Sequence, residues 1–469
     1  MEKEKKICGY KNAITDWKCP YEALEDSKEG FCIFHERRKD KDIEKFNQGI
    51  KRILEDKESD AYHFEGFFFP SSIDFSNFEF KKDVFFTEAE FTGKLTNFSM
   101  ARFSGEDVDF GMAEFSGENA DFSQAEFSGT YTDFMNTRFS AKTIIFCEAK
   151  FLAKFTNFMD AEFQGVNTDF SNTEFSGETI NFSDSEFGGK NTDFHGAEFW
   201  KGNTDFSWAC FSAENTNFSE AQFSGKGLIF NHAEFSGRIL FHGTVFNTRV
   251  NFTRVDLRKC IFTDVDLQDV EFTLIDWDWK CKLRNEAEVP KKSKPEFHFE
   301  TSEIYRQLKV QFHNKRDFAK AGMFHFREQE CKRMACKLPK DFFKWIFLWI
   351  LKLSCGYGEK LRNVGLSSIA LVLIFGIIYM FLGLHATDQN EGLILQYKIA
   401  FKDTTPIWTI IKDFGRSLNF SVKGFFPLWR FQQYKVVGDS ANLVAGIEFL
   451  LGAFMVGLFV YVFRRRMEK

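Results

Sequence analysis

The sequence predicts a β-solenoid joined to an α-helical domain with two membrane spans, preceded by a small segment that carries cysteine and histidine. Three observations predict it. Between Phe86 and Phe235 a phenylalanine recurs at alternating intervals of five and seven residues without a miss, and a fixed short period marks a repeat solenoid. Two 21-residue apolar stretches, 364–384 and 443–463, lie near the C-terminus, each long enough to cross a bilayer core. Cys8, Cys19, Cys32 and His35 gather near the N-terminus.

Composition limits the function classes. The 469 residues exceed one ordinary domain, and 44% apolar with 27% charged residues is globular. Residues 64–277 hold 34 acidic and 16 basic side chains, a net −18, so the remainder of this −6 chain carries +12. An acidic repeat discourages nucleic acid as a partner. Basic flanks suit an anionic membrane face, or the imbalance serves solubility. The ten cysteines form no extracellular framework, and Met-Glu-Lys-Glu-Lys-Lys opens no apolar signal core, so the soluble part is expected to be cytoplasmic and reduced.

Residues 1–60 are read as a zinc segment with a capping helix. Three thiols and an imidazole suit tetrahedral zinc, and the Cys32-Ile-Phe-His35 pair bends two ligands onto one ion. A segment this short lacks a core, so a structural metal would help it fold. The ten- and twelve-residue spacings match no standard finger, which keeps isolated buried thiols as the alternative. Ile43, Phe46, Ile50, Ile53 and Leu54 follow at helical spacing. That helix covers the first coil of the solenoid, packs on the zinc segment, or does both.

Within residues 64–277 each phenylalanine has a small or β-branched residue two positions earlier, as Thr168 before Phe170 and Ala197 before Phe199. Side chains two apart on a strand share a face, so both point inward. Ser-Gly follows the second phenylalanine of most pairs, at Gly105, Gly117, Gly129, Gly177 and Gly225. These glycines are expected to supply left-handed corners. After Phe235 the spacing settles to five, with Val255-Asp256-Leu257 and Val265-Asp266-Leu267 as units.

These units resemble the pentapeptide-repeat family. The resemblance implies a right-handed quadrilateral pentapeptide-repeat β-helix with one five-residue unit per face. Seven-residue steps depart from the plain pattern and imply coils of about 24 residues with two enlarged corners. From Phe64 there are 38 faces, hence about nine and a half coils and a rod of ~45 Å. Nothing in the repeat looks catalytic, and His195, His232 and His242 fall beside the inward positions. Specificity is expected on the rod's surface, where a protein partner would dock. Some pentapeptide-repeat proteins imitate DNA, but mimicry calls for no membrane anchor.

Residues 278–300 read as a linker around Lys291-Lys292-Ser293-Lys294-Pro295. Residues 301–355 read as basic helices: a pair broken near 314–317 that connects or binds peptide, then an aromatic and cationic stretch at 342–353 too short to span and suited to the interface.

Residues 364–463 carry the two spans and a loop, 386–442, too aromatic for a plain hairpin and expected to dip into the bilayer. Arg464-Arg465-Arg466 opens the tail at 464–469 and, with the basic stretch before the first span, puts both ends on the cytoplasmic side of the cell membrane. Helix, re-entrant segment and helix, with Glu448-Phe449-Leu450-Leu451-Gly452, resemble the two-transmembrane potassium-channel-like pore family. The resemblance implies residues 414–422, with Ser417 and Ser421, as a pore helix, Gly452 as a hinge, and a homo-tetramer, since two helices cannot enclose a pore alone. Lys423-Gly424-Phe425-Phe426 stands where the family places its filter, so potassium selectivity is not expected. Gly356-Tyr357-Gly358-Glu359 precedes the first span and reads as a turn. Glu448 is expensive in hydrocarbon; it faces a pore or a partner, or reaches the interface. The expected function is an ion channel or channel-like protein with a cytoplasmic docking rod; the alternative is a membrane-anchored scaffold. No P-loop, nucleophile elbow or HExxH motif suggests an enzyme.

Overall fold

The computed structural model describes residues 6–275, 277, 282–287, 295–386, 394–395, 407–426, 434–436 and 438–467. It divides into two compact units, Met1–Lys292 and Ser293–Lys469.

The first unit is a four-sided β-solenoid of about nine turns. Its strands form four sheets of 10, 8, 9 and 8 strands, each strand pairing in parallel with its equivalent one coil away. The register sets the coil size. Glu114 pairs with Arg138, a step of 24 residues, whereas Val250 pairs with Val270, a step of 20. The coil thus contracts to four plain five-residue faces where the phenylalanine spacing tightens, consistent with pentapeptide repeats.

Phenylalanines fill the interior in columns. Phe86, Phe110, Phe134 and Phe158 stack coil on coil with centroids 4.8–4.9 Å apart. Neighbours from adjacent faces meet edge to face, as Phe110 and Phe122 do at 5.6 Å and 86°. Offset stacks and T-contacts both exceed simple area burial in worth. The small residues two positions earlier, Ala101, Ala113 and Ala125 among them, are wholly buried, so large and small side chains alternate in the interior.

The corners correct the expectation about glycine. Apart from Gly189, the left-handed residues of the repeat sit at the narrow corners, two places after the first phenylalanine of each pair, and most are not glycine: Met100, Met112, Gln124, Asn136, Glu148 and Asp160 have φ between 55° and 60°. Each is the third residue of a β-turn, closed by bonds such as Ala101 N–H to the Phe98 carbonyl at 3.0 Å. The Asp or Asn before the phenylalanine accepts from the turn, as Asp121 Oδ1 does from Ser123 N–H at 2.9 Å. At the wide corners glycine serves close approach instead. A Cβ on Gly117 would lie 1.9 Å from the Gly93 carbonyl oxygen, and one on Gly225 2.1 Å from that of Gly202. Where alanine takes a rung, at Ala141, Ala153 and Ala213, the rungs above and below are glycine.

Both ends are capped. Helix α1 (Ile43–Glu55) buries Phe46, Ile50 and Ile53, and Phe46 meets the first-coil Phe69 edge to face at 5.5 Å. At the far end the short helix α2 (Arg284–Ala287) presents Asn285, whose amide oxygen accepts from Phe262 N–H and whose amide nitrogen donates to Phe262 O. A side-chain amide thereby satisfies an edge strand that has no further coil to pair with.

The second unit is helical. Helices α3 (Pro295–Asn314) and α4 (Phe318–Met334) break where expected, although α3 starts inside the stretch read as linker; residues 288–294 of that stretch lie outside the described residues. Tyr305 and Phe312 pack on Phe324 between them. Helix α5 (Phe342–Cys355) exposes Phe343, Phe347, Ile350 and Leu353. It ends in a left-handed turn through Gly356, Tyr357 and Gly358, as the sequence suggested. Then come α6 (Leu361–Leu382), α7 (Ile407–Phe425) and α8 (Asp439–Met467). A small antiparallel sheet, unforeseen in the sequence, sets Leu384–Ala386 between Ile394–Leu395 and Tyr434–Val436. Most of the rest of the 386–442 loop, including Pro406, Pro427 and Val437, lies outside the described residues.

Candidate functional site

Two clusters of chemically capable side chains stand out, one in each unit. In the first, short β-bridges and a turn bring Cys8, Cys19, Cys32 and His35 together. Ile7 bridges Glu22 and Lys11 bridges Lys18, which places Cys8 and Cys19 beside each other. The turn after Cys32, with the His35 and Glu36 amides on the Cys32 carbonyl, folds His35 back. All four side chains are buried, and their ligand atoms lie within 4.8 Å of one another. Cys19 Sγ is 3.6 Å from Cys32 Sγ; His35 Nδ1 is 3.3 Å from Cys32 Sγ and 3.6 Å from Cys8 Sγ. With metal–sulfur bonds of about 2.3 Å a tetrahedron has edges of about 3.8 Å, so the set is compatible with one metal ion.

The surroundings prepare that geometry. His35 Nε2 lies 2.8 Å from the Glu65 carbonyl oxygen. A carbonyl only accepts, so Nε2 carries the proton and Nδ1 presents a lone pair to the thiols. Tyr10 stacks on the imidazole at 3.9 Å, and the Cys32 amide points at Cys8 Sγ at 3.2 Å. Hydrogen bonds from Cys19 and Cys32 favour the Cys8 thiolate, whereas those with Cys32 and Cys8, together with burial, push the Cys19 thiol up. A cation at the centre relieves that conflict.

Lys41 joins this centre to the solenoid. Its Nζ donates to the carbonyls of Ile33 at 2.9 Å, Phe34 at 3.4 Å and Phe68 at 2.8 Å, over the rings of Phe46 and Phe68. Burial pulls its ammonium down to about 7. Neither Lys41 nor the Glu65 carbonyl was legible in the sequence, because one lysine in Lys-Asp-Lys-Asp looks like the next and a backbone acceptor has no residue type.

The second cluster lies among α6, α7 and α8. Glu448 is fully buried. Tyr379 of α6 donates to its Oε2 at 2.6 Å, and Ser421 of α7 meets its Oε1. Ser421 Oγ also lies 3.0 Å from the Val372 carbonyl oxygen. Glu448 therefore has partners inside one chain. Gly452, one turn further along α8, packs against α7: a Cβ there would stand 2.1 Å from the Phe425 carbonyl oxygen. Close helix approach is one demand on this glycine, and it does not test the hinge that the resemblance implied. Ser417 is buried on the same face of α7, its hydroxyl without a hydrogen-bond partner among the described residues, and Lys423 is half-buried. Tyr379, the hub of the cluster, escaped the sequence because a tyrosine in an apolar helix looks like core.

The chain matches no protein-family model, no curated protein and no solved structure.

Among the described residues two helices are long and apolar enough to cross a membrane, α6 and α8, and only 28% and 17% of their most apolar windows are buried. A soluble core helix of that composition is mostly covered. Leu366, Ile369 and Ile377 of α6 and Leu450, Phe454 and Val460 of α8 are all exposed. Polar groups turned inward and apolar groups outward are the arrangement hydrocarbon demands.

Proposed function

We propose that this chain is an integral membrane protein of pore-loop type, a homo-oligomer that conducts ions, with its metal-capped solenoid as a cytoplasmic docking arm for a protein partner. The observation that carries this reading is the position of α7. It is 19 residues long and holds Lys412, Asp413, Arg416 and Lys423, which unsuits it to lipid, yet it packs against both long apolar helices through Leu418, Val422 and Phe425. A short amphipathic helix held between two spans is how a pore segment is carried. Purified full-length protein in planar bilayers should give currents, and Glu448→Gln should alter their amplitude or open probability; no current at any voltage would overturn conduction.

A second reading is a membrane-anchored scaffold. The closed set of Glu448, Tyr379 and Ser421 favours it, since these groups satisfy one another without a second chain or a pore water. A tetramer in detergent supports the pore, a monomer the scaffold. At the N-terminus we assign structural zinc to Cys8, Cys19, Cys32 and His35, because four protein donors fill a tetrahedron and leave no open position for catalysis.

A further inference from the structure

Of the other features of the molecule, one cavity is built as a binding site. It has a volume of about 880 Å³ and lies between α3, α4 and the C-terminal end of α8. Lys309 and His313 come from α3, His325 from α4, and Arg464 and Arg465 from α8. No carboxylate lines it among the described residues. Val310, Phe318 and Tyr461 form an apolar wall, and Ala321 with Gly322 leave the space open.

Two of the cations, Lys309 and Arg465, are held from behind. Glu328, only 2% exposed, pairs with Lys309 at 2.7 Å and lies 3.6 Å from His325 Nδ1. Burial pushes the Glu328 carboxyl up, but nearby His325 and the hydrogen-bonded ammonium groups of Lys309 and Lys332 outweigh it and bring it to about 2. Glu359, 6% exposed, pairs with Arg465 at 2.7 Å. Two buried carboxylates thus fix cations that carry more donors than these partners consume, since an ammonium has three and a guanidinium five. Side chains ordered before the ligand arrives lose little entropy on binding it.

A concave site with several fixed donors and no acid selects a multiply charged oxyanion. Arginine and lysine together suit a phosphate, the first through paired N–H groups and the second as a point charge. Its place selects the source. Arg464 and Arg465 end α8 directly after its apolar run, the depth at which a span meets headgroups, and the apolar wall suits the glycerol and first carbons of a lipid.

We propose that this cavity binds the phosphate of an anionic membrane lipid, a phosphomonoester such as phosphatidic acid. The proposal rests on the membrane reading of α6 and α8. It is tested with the full chain in nanodiscs of phosphatidylcholine with a minor share of phosphatidic acid, followed by native mass spectrometry of the lipid that stays bound. Phosphatidic acid should be retained about tenfold over phosphatidylcholine, the ratio that one charge-assisted contact supports. Arg464→Gln and His313→Gln should each erase most of that preference and leave the Glu359–Arg465 pair intact. Arg466→Gln removes the same charge from the same helix end without touching the cavity, and should keep it. Equal loss in Arg464→Gln and Arg466→Gln would overturn the site in favour of general surface charge. Displacement of the lipid by an equal concentration of glycerol phosphate would overturn the lipid as the source. Failure to enter nanodiscs would overturn the membrane reading itself, whereas entry without lipid preference overturns only the site.

Discussion

The Tyr379 hydroxyl donates to Glu448 Oε2 at 2.6 Å, across 69 positions of sequence. It ties the first long apolar helix to the second, and Ser421 ties α7 to the same carboxylate. These groups are fully buried, so removing one leaves its partner unsatisfied. Tyr379→Phe and Glu448→Gln, singly and together, should show a coupling energy of about 0.5–1.5 kcal/mol in a detergent unfolding cycle. Additive effects would mean the contact does not hold the helices.

Zinc should be measurable at one equivalent per chain and absent from Cys32→Ser. Because the Glu65 carbonyl of the first coil orients His35 and Lys41 bonds the Phe68 carbonyl, metal loss should loosen the cap and the coil together. Hydrogen exchange after chelation should speed up in α1 and in strand Phe68–Phe69, with the middle coils unchanged. Exchange confined to residues before Cys32 would show that cap and coil are uncoupled.

Asp109 and Asp133 sit in the turn row of one face, and burial raises both carboxyls above their ordinary value. Their folded form holds the proton more tightly than the unfolded chain does. The stability this contributes is present in full below the unfolded value and is lost as pH rises through the raised folded value. The next coils carry Asn157 and Asn181 in this row, and Asn157 Nδ2 donates to Asp133 Oδ1 at 3.1 Å. Asp109→Asn and Asp133→Asn should therefore raise the melting temperature at neutral pH and change little below the carboxylate range. Melting curves at both pH values decide it.

Gly117→Val should destabilise the solenoid by about 2 kcal/mol or more, since the Gly93 carbonyl lies where the new Cβ would go. Gly117→Ala should destabilise as well, because the clashing atom is the Cβ that alanine shares and Ala141 already fills the next rung of the same column. Unchanged stability of Gly117→Ala in chemical denaturation would show that close approach is not what demands glycine here.

Much of the fold was legible because it repeats. A phenylalanine that returns every 24 residues must meet its own copy, so the stacked columns, the buried small residues and the contraction to 20-residue coils all follow from spacing. The Cys and His set was legible as four residues of the right type, although their convergence was not. By itself, then, the sequence determined the solenoid, its acidic charge, the two apolar helices and the identity of the thiol and imidazole cluster. Only the tertiary structure decided what each polar group is paired with: Glu448 with Tyr379, His35 with a carbonyl of the first coil, Asn285 with an edge strand, and Arg465 with Glu359 beside a cavity. The physical reason is that apolar burial follows periodicity along the chain, whereas a hydrogen bond or ion pair joins two particular atoms that the packed fold alone brings within 3 Å.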